Sequence, residues 1–185
     1  MWMASYQGGV FVLDKQRLLA AISLSSAATA TCVADYHFSD KGMNALSGLH
    51  IGQLVLDGKG MVWASSYNHL DRIDTRTLRI SHIPGNDAIN YLMTSGNGNV
   101  WVGYNASVKC FVVNLPMKGK ELESKEWKIG AKVVSMCDVE GKMWVVSGNE
   151  CCVIDPQGES QRFMIPSVVP FNICYSRQTH QVIMR

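Results

Sequence analysis

Short runs of apolar residues alternate with polar turns along most of the chain. Gln53 to Leu56 is one such run, and it leads into the glycine-containing turn Asp57 to Gly60. The next run carries Trp63 between aliphatic neighbours, and apolar and polar residues alternate from Leu78 to Ser81. This alternation predicts strands with one buried face, and glycine permits the positive φ that a tight hairpin requires. No segment carries a convincing helical stripe, so the pattern predicts an all-β protein.

A motif that combines a turn with a tryptophan occurs three times. In each copy a glycine lies three residues before the tryptophan, and a polar turn residue lies six residues before it. The polar residues and tryptophans are Asp57 and Trp63, Ser95 and Trp101, and Asp138 and Trp144. Successive tryptophans are 38 and 43 residues apart, which is close to the ~40–50-residue period of propeller blades.

The repeat extends weakly in both directions. Trp2 to Tyr6 resembles the segment that follows Trp63, and Ile173 to Ile183 fits two strands around a turn with Ile183 in the tryptophan position. We therefore predict a β-propeller of about four blades, each a four-stranded antiparallel sheet, with the tryptophans packed between neighbouring blades. The copies fall at residues 2–36 with a long insertion, 37–85, 86–130, 131–168 and, in part, 169–185.

Two features of this organisation stay open. About twenty extra residues lie around Ser25 to Asp40, and they form either a long outer loop or a distorted hairpin. The strands near the C-terminus either complete the blade that begins at Trp2, or the chain is part of a larger propeller. We favour the larger propeller, because an open stack of blades leaves strand edges and an apolar sheet face uncovered.

One segment superficially resembles a secretory signal. Lys15 to Arg17 is basic, and Leu18 to Ala34 is apolar with small residues. The segment follows two predicted strands, however, and its serines and threonine dilute the apolar part. We expect neither a signal peptide nor a membrane span in this chain.

Composition narrows the class of protein. Hydrophobic residues make up 47% of the 185 and charged residues 17%, which is typical of a globular protein with a substantial core. The formal net charge is +2, too small for the basic field that nucleic-acid binding requires. The six cysteines have no disulfide-framework spacing, so we interpret most of them as buried free thiols: Cys32, Cys110, Cys137, Cys151, Cys152 and Cys174.

Motifs that would carry chemistry are weak. The five histidines lack a zinc signature, and the turns that begin at Asp57 and Ser95 lack the later glutamate of a calcium loop. Asp14, Asp74 and Asp155 recur at equivalent strand ends, where a turn role suits them better than acid–base catalysis. We therefore predict no catalytic, cofactor-binding or metal-binding residue. The histidines are His37, His50, His69, His82 and His180.

Some polar and aromatic residues would suit a saccharide. They lie in the loops around Tyr67 to His69, Tyr104 to Asn105, and Gly148 to Glu150. Any soluble propeller has polar loops, so the sequence identifies no binding residue. Trp127 lies outside the repeat register, and packing in an outer strand explains it better than stacking on a sugar.

Residues Ile51 to Asp74 carry the pattern I-x-x-L-x-x-D-x-x-G-x-x-W-x-x-S followed by L-x-R-I-D. This pattern resembles the two-component-regulator propeller repeat. His37 to Leu49 resembles the connection between blades in that family, and Ile89 to Val102 and Val133 to Val145 are weaker copies. The resemblance covers roughly residues 37 to 165.

The resemblance implies a function. That family forms the periplasmic sensor region of hybrid two-component histidine kinases, common in gut bacteria, in propellers of about seven blades. It implies a periplasmic part of an inner-membrane protein that senses an oligosaccharide, acts as a homodimer and passes the signal to kinase domains elsewhere in the protein. The region itself would not be an enzyme. The alternatives are a carbohydrate-active enzyme on a propeller scaffold, a lyase or glycosidase, or a propeller that mediates protein contacts.

Overall fold

The computed structural model describes residues 1–24, 34–85, 87–113, 122–158, 160–165 and 172–185. These residues form five antiparallel sheets, numbered in chain order. Sheet 1 contains β1 (Trp2–Ser5), β2 (Gly9–Val12) and β3 (Tyr36–Phe38). Sheet 2 contains β4 (Ile51–Leu56), β5 (Met61–Ser66), β6 (His69–Asp74) and β7 (Ile80–Ile83). Sheet 3 contains β8 (Tyr91–Thr94), β9 (Val100–Gly103), β10 (Ser107–Phe111) and β11 (Ser124–Lys128). Sheet 4 contains β12 (Val133–Val139), β13 (Lys142–Ser147), β14 (Glu150–Ile154) and β15 (Ser160–Met164), and sheet 5 contains β16 (Ile173–Ser176) and β17 (Gln181–Met184).

Each sheet is a meander in which strands that follow one another in sequence are also neighbours in space. This order results from the short turns, because two-residue turns join β5 to β6 and β13 to β14 and leave no room for another strand. The all-β prediction with four-stranded antiparallel blades is confirmed, and the architecture is that of a partial β-propeller.

The core lies between the sheets, as four apolar clusters in succession. The tryptophan of one sheet packs in each case against the next sheet along the chain. Trp2 belongs to the cluster between sheets 1 and 2, Trp63 to that between sheets 2 and 3, Trp101 to the next, and Trp144 to the last. Trp63 and Trp101 have 0% and 1% exposure. The predicted position of the tryptophans between blades is therefore confirmed.

The polar residue six positions before the tryptophan is part of the same interface. The indole N–H of Trp63 donates a 2.8 Å hydrogen bond to Asp57 Oδ2, and that of Trp101 donates a 3.2 Å bond to Ser95 Oγ. A buried indole N–H needs such an acceptor. The spacing of six thus places the acceptor in the turn between the first two strands, where it reaches the ring of the second strand.

The expectation that no segment is helical is wrong in one place. Residues Lys15–Leu24 form the helix α1, between β2 and β3. Asp14 caps it, because Oδ1 accepts hydrogen bonds from the backbone N–H groups of Gln16 (2.8 Å) and Arg17 (2.9 Å). Leucine, alanine, glutamine and arginine are good helix formers, so a short helix forms here without a marked apolar stripe.

The same region changes the interpretation of the insertion. The extra residues lie within sheet 1, between β2 and β3, and they begin with α1. Tyr36–Phe38, which the sequence interpretation included in the insertion, form β3 and pair with β2. Residues 25–33, with Cys32, lie outside the described residues.

The strands at the two ends do not complete one sheet. Among the described residues β1 pairs only with β2, and β17 pairs only with β16. Trp2 of β1 and Ile183 of β17 occupy the same position in the repeat, so the two strands compete for one place. The alternative in which the C-terminal strands complete the first blade is therefore wrong.

Within the described ranges, no helix has the length and apolar character needed to span a membrane.

Candidate functional site

The turns between the first and second strands of successive sheets form a connected row. Gly58 N–H donates to Gly98 O (3.1 Å), and Gly96 N–H donates to Asp138 Oδ2 (2.5 Å). The row places these turns at one end of the stack. The turns between second and third strands lie at the opposite end, because an antiparallel meander reverses at each turn.

A polar cavity of about 360 Å³ lies at the end of this row, between sheets 3, 4 and 5. Its centre is Glu140, whose Oε1 accepts a 2.6 Å hydrogen bond from the Tyr175 hydroxyl and lies 3.1 Å from His180 Nδ1. Asp138, Arg177 and Gly96 complete its wall. The cavity joins a carboxylate, a phenol and an imidazole on two neighbouring hairpins.

The hydrogen bond between Glu140 and Tyr175 moves the pKa values of both groups away from neutral pH. The hydrogen bond from Tyr175 lowers the pKa of Glu140, and the bond from His180 acts in the same direction. The same bond to Glu140 raises the pKa of Tyr175 above its usual value of 10.0. A general acid or base works best when its pKa lies close to the working pH. Both groups are moved away from neutrality, so the cluster is suited to holding two hairpins together.

A second polar cluster joins the connection before β4 to sheet 2. The carboxylate of Asp71 is fully buried, and it accepts bonds from Ser47 N–H (2.7 Å) and Ser47 Oγ–H (2.6 Å). His82 Nδ1 lies 2.7 Å from Asp71 Oδ1 and 3.0 Å from Ser47 Oγ.

The serine, histidine and aspartate of this cluster are not arranged for nucleophilic catalysis. In a catalytic triad the aspartate contacts one imidazole nitrogen and the serine contacts the other. Here Asp71 and Ser47 meet the same nitrogen, Nδ1 of His82, and the Ser47 hydroxyl donates to the carboxylate. Asp71 therefore anchors the connection between sheets 1 and 2.

The remaining histidines have separate environments. His37 stacks on Phe11 with ring centroids 4.3 Å apart, and its Nε2 lies 2.6 Å from Gly8 O. His50 meets the ring of Tyr6 edge-on, and His69 begins β6. In the described part of the chain, no three His, Cys, Asp or Glu side chains converge in a way that could hold a metal ion.

Two of the three aspartates at strand ends, Asp74 and Asp155, have the predicted turn role, and the third, Asp14, caps a helix. Oδ1 of Asp14 caps α1, as described above. Oδ1 of Asp74 accepts from Arg76 N–H (2.8 Å) and Thr77 N–H (3.0 Å), and Oδ1 of Asp155 accepts from Gln157 N–H (2.9 Å). These backbone hydrogen bonds lower the pKa of Asp14 and of Asp74. The carboxylates stabilise turns and face no shared site.

Trp127 also has the predicted structural role. It lies in the outer strand β11 and stacks on Trp101, with ring centroids 5.4 Å apart and planes 19° from parallel. The loops singled out for saccharide binding lie together at the end of the stack opposite the hairpin row. Tyr67 is 76% exposed there, whereas the Asn105 side chain donates to Asp87 Oδ1 (2.6 Å) and thereby orders its own turn.

The described cysteines are all free thiols, as the sequence predicted for most of them. Cys110, Cys151 and Cys152 are buried, Cys137 is half-buried and Cys174 is exposed. Burial raises the pKa of the Cys110 thiol to about 12 and that of the Cys151 thiol to about 12. Thiols with a pKa this high are poor nucleophiles.

Sequence reasoning did not single out Glu140, Tyr175 or Asp71. One signal was available for Glu140. The turns that precede Trp63 and Trp101 carry a glycine at their second position, whereas the turn before Trp144 carries Val139 there. Glu140 adopts a left-handed backbone with φ of 51° in this altered turn. Asp71 gave no signal, because its partners are 24 and 11 residues away.

Comparison with known proteins identifies the fold. No protein-family model and no curated protein sequence matches the chain. Two crystal structures of the extracellular domain assigned to BT4673 of B. thetaiotaomicron match, one described as a hybrid two component system and the other as a one component system. Both are 24% identical to this chain, with TM-scores of 0.80 and 0.82 over 99% of it. The chain spans about a quarter (24%) of the length of those structures.

Two further structures share the architecture at lower identity. Virginiamycin B lyase from Staphylococcus aureus has a TM-score of 0.64 and 13% identity, over 99% of this chain and 61% of its own. PorZ, a surface component of the type-IX secretion system of Porphyromonas gingivalis, has a TM-score of 0.64 and 12% identity, over 100% of this chain and 29% of its own. The chain is thus similar to part of propeller proteins with different activities, so the fold alone assigns no function.

Proposed function

We propose that the chain is a ligand-sensing, non-catalytic segment of the extracytoplasmic region of a two-component signal-transduction protein. The observation that carries this proposal is the match of nearly the whole chain to an extracellular domain assigned to such a system. The repeat pattern of Ile51 to Asp74 supports the same family. In this proposal the intact protein is anchored in the inner membrane, dimerises and signals through a histidine kinase.

The polar clusters are consistent with a structural role rather than catalysis. Asp71 accepts hydrogen bonds from both Ser47 and His82. No base is therefore positioned to take the proton of the Ser47 hydroxyl. The hydrogen bond between Glu140 and Tyr175 lowers the pKa of the carboxyl and raises that of the phenol, so neither group changes its protonation state near neutral pH. The Glu140 cluster joins sheets 4 and 5, and the Asp71 cluster joins the connection before β4 to sheet 2.

The connected row of hairpins supplies a physical route for a signal. The turn of sheet 2 is bonded to that of sheet 3 through Gly58 and Gly98, and the turn of sheet 3 is bonded through Gly96 to Asp138 near the end of β12. A shift of one sheet would therefore be transmitted to its neighbour as a rigid displacement. In the proposed sensor, ligand binding changes the relative positions of sheets, and a dimer passes that change to the kinase.

The proposed ligand class is an oligosaccharide. Its support is the end of the stack opposite the hairpin row, where exposed Tyr67 offers an aromatic face and neighbouring turns offer amides and carboxylates. Sugars are bound by aromatic stacking together with hydrogen bonds to their hydroxyls.

Calorimetric titration of the 185-residue chain with a panel of neutral and acidic oligosaccharides tests the ligand class. Saturable heat for at least one sugar is expected, with weaker binding in Tyr67→Ala and unchanged binding in Tyr175→Phe, which alters the opposite end. Mass spectrometry of each sugar after long incubation should find it intact. Absence of binding across the panel would count against the oligosaccharide.

The signalling role needs a separate experiment on the intact protein. Fusion of its cytoplasmic output to a reporter should give ligand-dependent expression that substitutions in the sensing region abolish. Output that never depends on any ligand would remove the sensor proposal.

The similarity to virginiamycin B lyase supports a second candidate, an enzyme on a propeller scaffold. Conversion of a sugar or cyclic ester into a new product would favour this candidate over the sensor. A propeller that only mediates protein contacts would show neither binding of small molecules nor turnover.

A further inference from the structure

A small cavity of about 250 Å³ lies at the end of sheet 4 opposite the hairpin row. It lies where the connection between β11 and β12 passes the turn between β13 and β14. The residues used below all line it: Gly130, Ser147, Asn149, Glu150 and Arg162. The cavity is remote from the Glu140 cluster and from Asp71.

Ser147 carries the first observation. The residue is 3% exposed, and its hydroxyl has no hydrogen-bond partner among the described residues. Buried hydroxyls are almost always hydrogen-bonded, and one without a partner calls for an explanation. A ligand group in the adjoining cavity would supply a partner.

The equivalent serine of sheet 2 is covered by the connection that precedes its first strand. Ile51 pairs with Ser66 in sheet 2 as Val133 pairs with Ser147 in sheet 4. Three residues before Ile51, Gly48 lies directly over Ser66, so that a Cβ added there would come within 2.5 Å of Ser66 Oγ.

In sheet 4 the connection between β11 and β12 does not cover Ser147 in this way. Gly130 is three residues before Val133, and a Cβ added to it would meet no described atom within 4 Å. Gly130 has a φ of 92°, a left-handed conformation that turns the backbone away and that other residues rarely adopt. The cavity thus arises from a local departure from the repeat.

Arg162 carries the second observation. Its guanidinium donates to Lys128 O (2.5 Å) and Ile129 O (3.3 Å), so two backbone carbonyls fix its position. In the described part of the chain it forms no ion pair with a carboxylate, although Glu150 lines the same cavity. The guanidinium also hydrogen-bonds the Cys152 thiol. Its remaining N–H donors, of five in all, suit a carboxylate ligand.

We propose that this cavity binds a small organic carboxylate that also carries a hydroxyl or ammonium group. Arg162 binds the carboxylate, the carboxylate of Glu150 accepts a hydrogen bond from the hydroxyl or ammonium, and Ser147 exchanges a hydrogen bond with the ligand. The volume equals that of about eight water molecules at ~30 Å³ each, so a single acidic monosaccharide or a free amino acid fits. The inference rests on the proposed function in treating the chain as a ligand-binding protein.

The test is calorimetric titration of the 185-residue chain with four separate compounds: glucuronate, alanine, glucose and acetate. Glucuronate or alanine is expected to bind and glucose is not, and the two positive arms distinguish an acidic sugar from an amino acid. Acetate alone should bind more weakly, because it lacks the group that Glu150 recognises. Failure of both glucuronate and alanine, or equal binding of glucose, would overturn the proposal.

Substitutions place the ligand in this cavity. Arg162→Gln should weaken binding about tenfold or more, because a charge-assisted hydrogen bond is lost. Arg177→Gln, at the opposite end of the stack, is the matched control and should bind as the unaltered chain does. Equal loss in both variants, or no loss in Arg162→Gln, would contradict the assigned site.

Ser147→Ala provides a readout independent of Arg162. It should weaken ligand binding without lowering the free energy of unfolding of the ligand-free chain, because the hydroxyl has no partner to lose. Full affinity in Ser147→Ala would remove the serine from the site. Binding of glucuronate or alanine together with failure of every oligosaccharide would sustain this site and count against the oligosaccharide proposal, so the two failures are distinguishable.

Discussion

The indole N–H of Trp63 donates a 2.8 Å hydrogen bond to the carboxylate of Asp57, a side chain with no exposure to solvent. The same carboxylate accepts from Lys59 N–H (2.8 Å) and Met61 N–H (2.9 Å), and it lies 3.6 Å from the Arg72 guanidinium. One side chain therefore fixes the hairpin turn, orients the tryptophan between two sheets and offsets a nearly buried charge. In sheet 3 the neutral Ser95 makes the equivalent bond to Trp101.

Replacement of Asp57 should lower the free energy of unfolding more than replacement of Ser95 does. Asp57→Ala leaves the indole, two backbone N–H groups and Arg72 without their acceptor, and we expect a loss of about 3 kcal/mol or more. Ser95→Ala removes one neutral hydrogen bond from Trp101 and should cost about 1 kcal/mol. Urea unfolding followed by tryptophan fluorescence measures both. Equal losses in the two variants would show that the charge on Asp57 has no special part in the turn.

Asp71 should matter far more than the histidine that contacts it. Asp71→Ala removes a fully buried carboxylate and leaves two donors of the half-buried Ser47 without their acceptor, and it should cost about 3 kcal/mol. The His82 side chain is 57% exposed, so His82→Ala should cost less than about 1 kcal/mol. Limited proteolysis should cut between residues 39 and 50 faster in Asp71→Ala only. Faster cutting in both variants would mean that the histidine is the anchor.

The blades could be predicted from the sequence because the patterns that indicate them are local. A glycine turn, a tryptophan at a fixed spacing and alternating apolar positions each act within one hairpin, so they can be found without the fold. The helix α1 could not be predicted from an apolar stripe, because it has no marked one and begins at the Asp14 cap. Asp14 occupies the same position in the repeat as Asp74 and Asp155, which lie at strand ends and begin turns.

The candidate site could not be predicted in the same way. Glu140 meets Tyr175 across 35 residues, Arg162 reaches Lys128 across 34, and the cavity beside Ser147 exists only because Gly130 stands away from it. Each relationship depends on how one sheet packs beside the next. A repeat pattern predicts that the sheets stack, but it does not predict where one connection departs from the others.

The contact between Glu140 and Tyr175 predicts a pH dependence of stability. The hydrogen bond lowers the pKa of Glu140, so its contribution is present above the unfolded value near 4.5 and is lost as pH falls through the lower folded value. The pKa of Tyr175 is raised above 10.0, so the same contribution is lost again as pH rises through the folded value. The difference in unfolding free energy between the unaltered chain and Tyr175→Phe should therefore be largest from about pH 5 to 9. Tyr67→Phe, at the opposite end of the stack, is the control. A difference for Tyr175→Phe that does not vary with pH would contradict the assignment.

The cysteines should differ sharply in reactivity, because burial controls the thiolate. Cys174 is exposed, whereas burial, aided by the nearby Cys152, raises the pKa of Cys151 to about 12. At pH 8 an aromatic disulfide reagent should therefore react rapidly with Cys174 in the folded chain and slowly with Cys151.

Cys174→Ser should remove one rapidly reacting thiol without loss of stability. Cys151→Ser should leave the rapid phase intact and lower the free energy of unfolding by about 1–3 kcal/mol, because it places an unpaired hydroxyl in the core between sheets 4 and 5. Rapid reaction of Cys151 would show that this core opens in the folded state, and an unchanged rapid phase in Cys174→Ser would show that the exposed thiol is blocked.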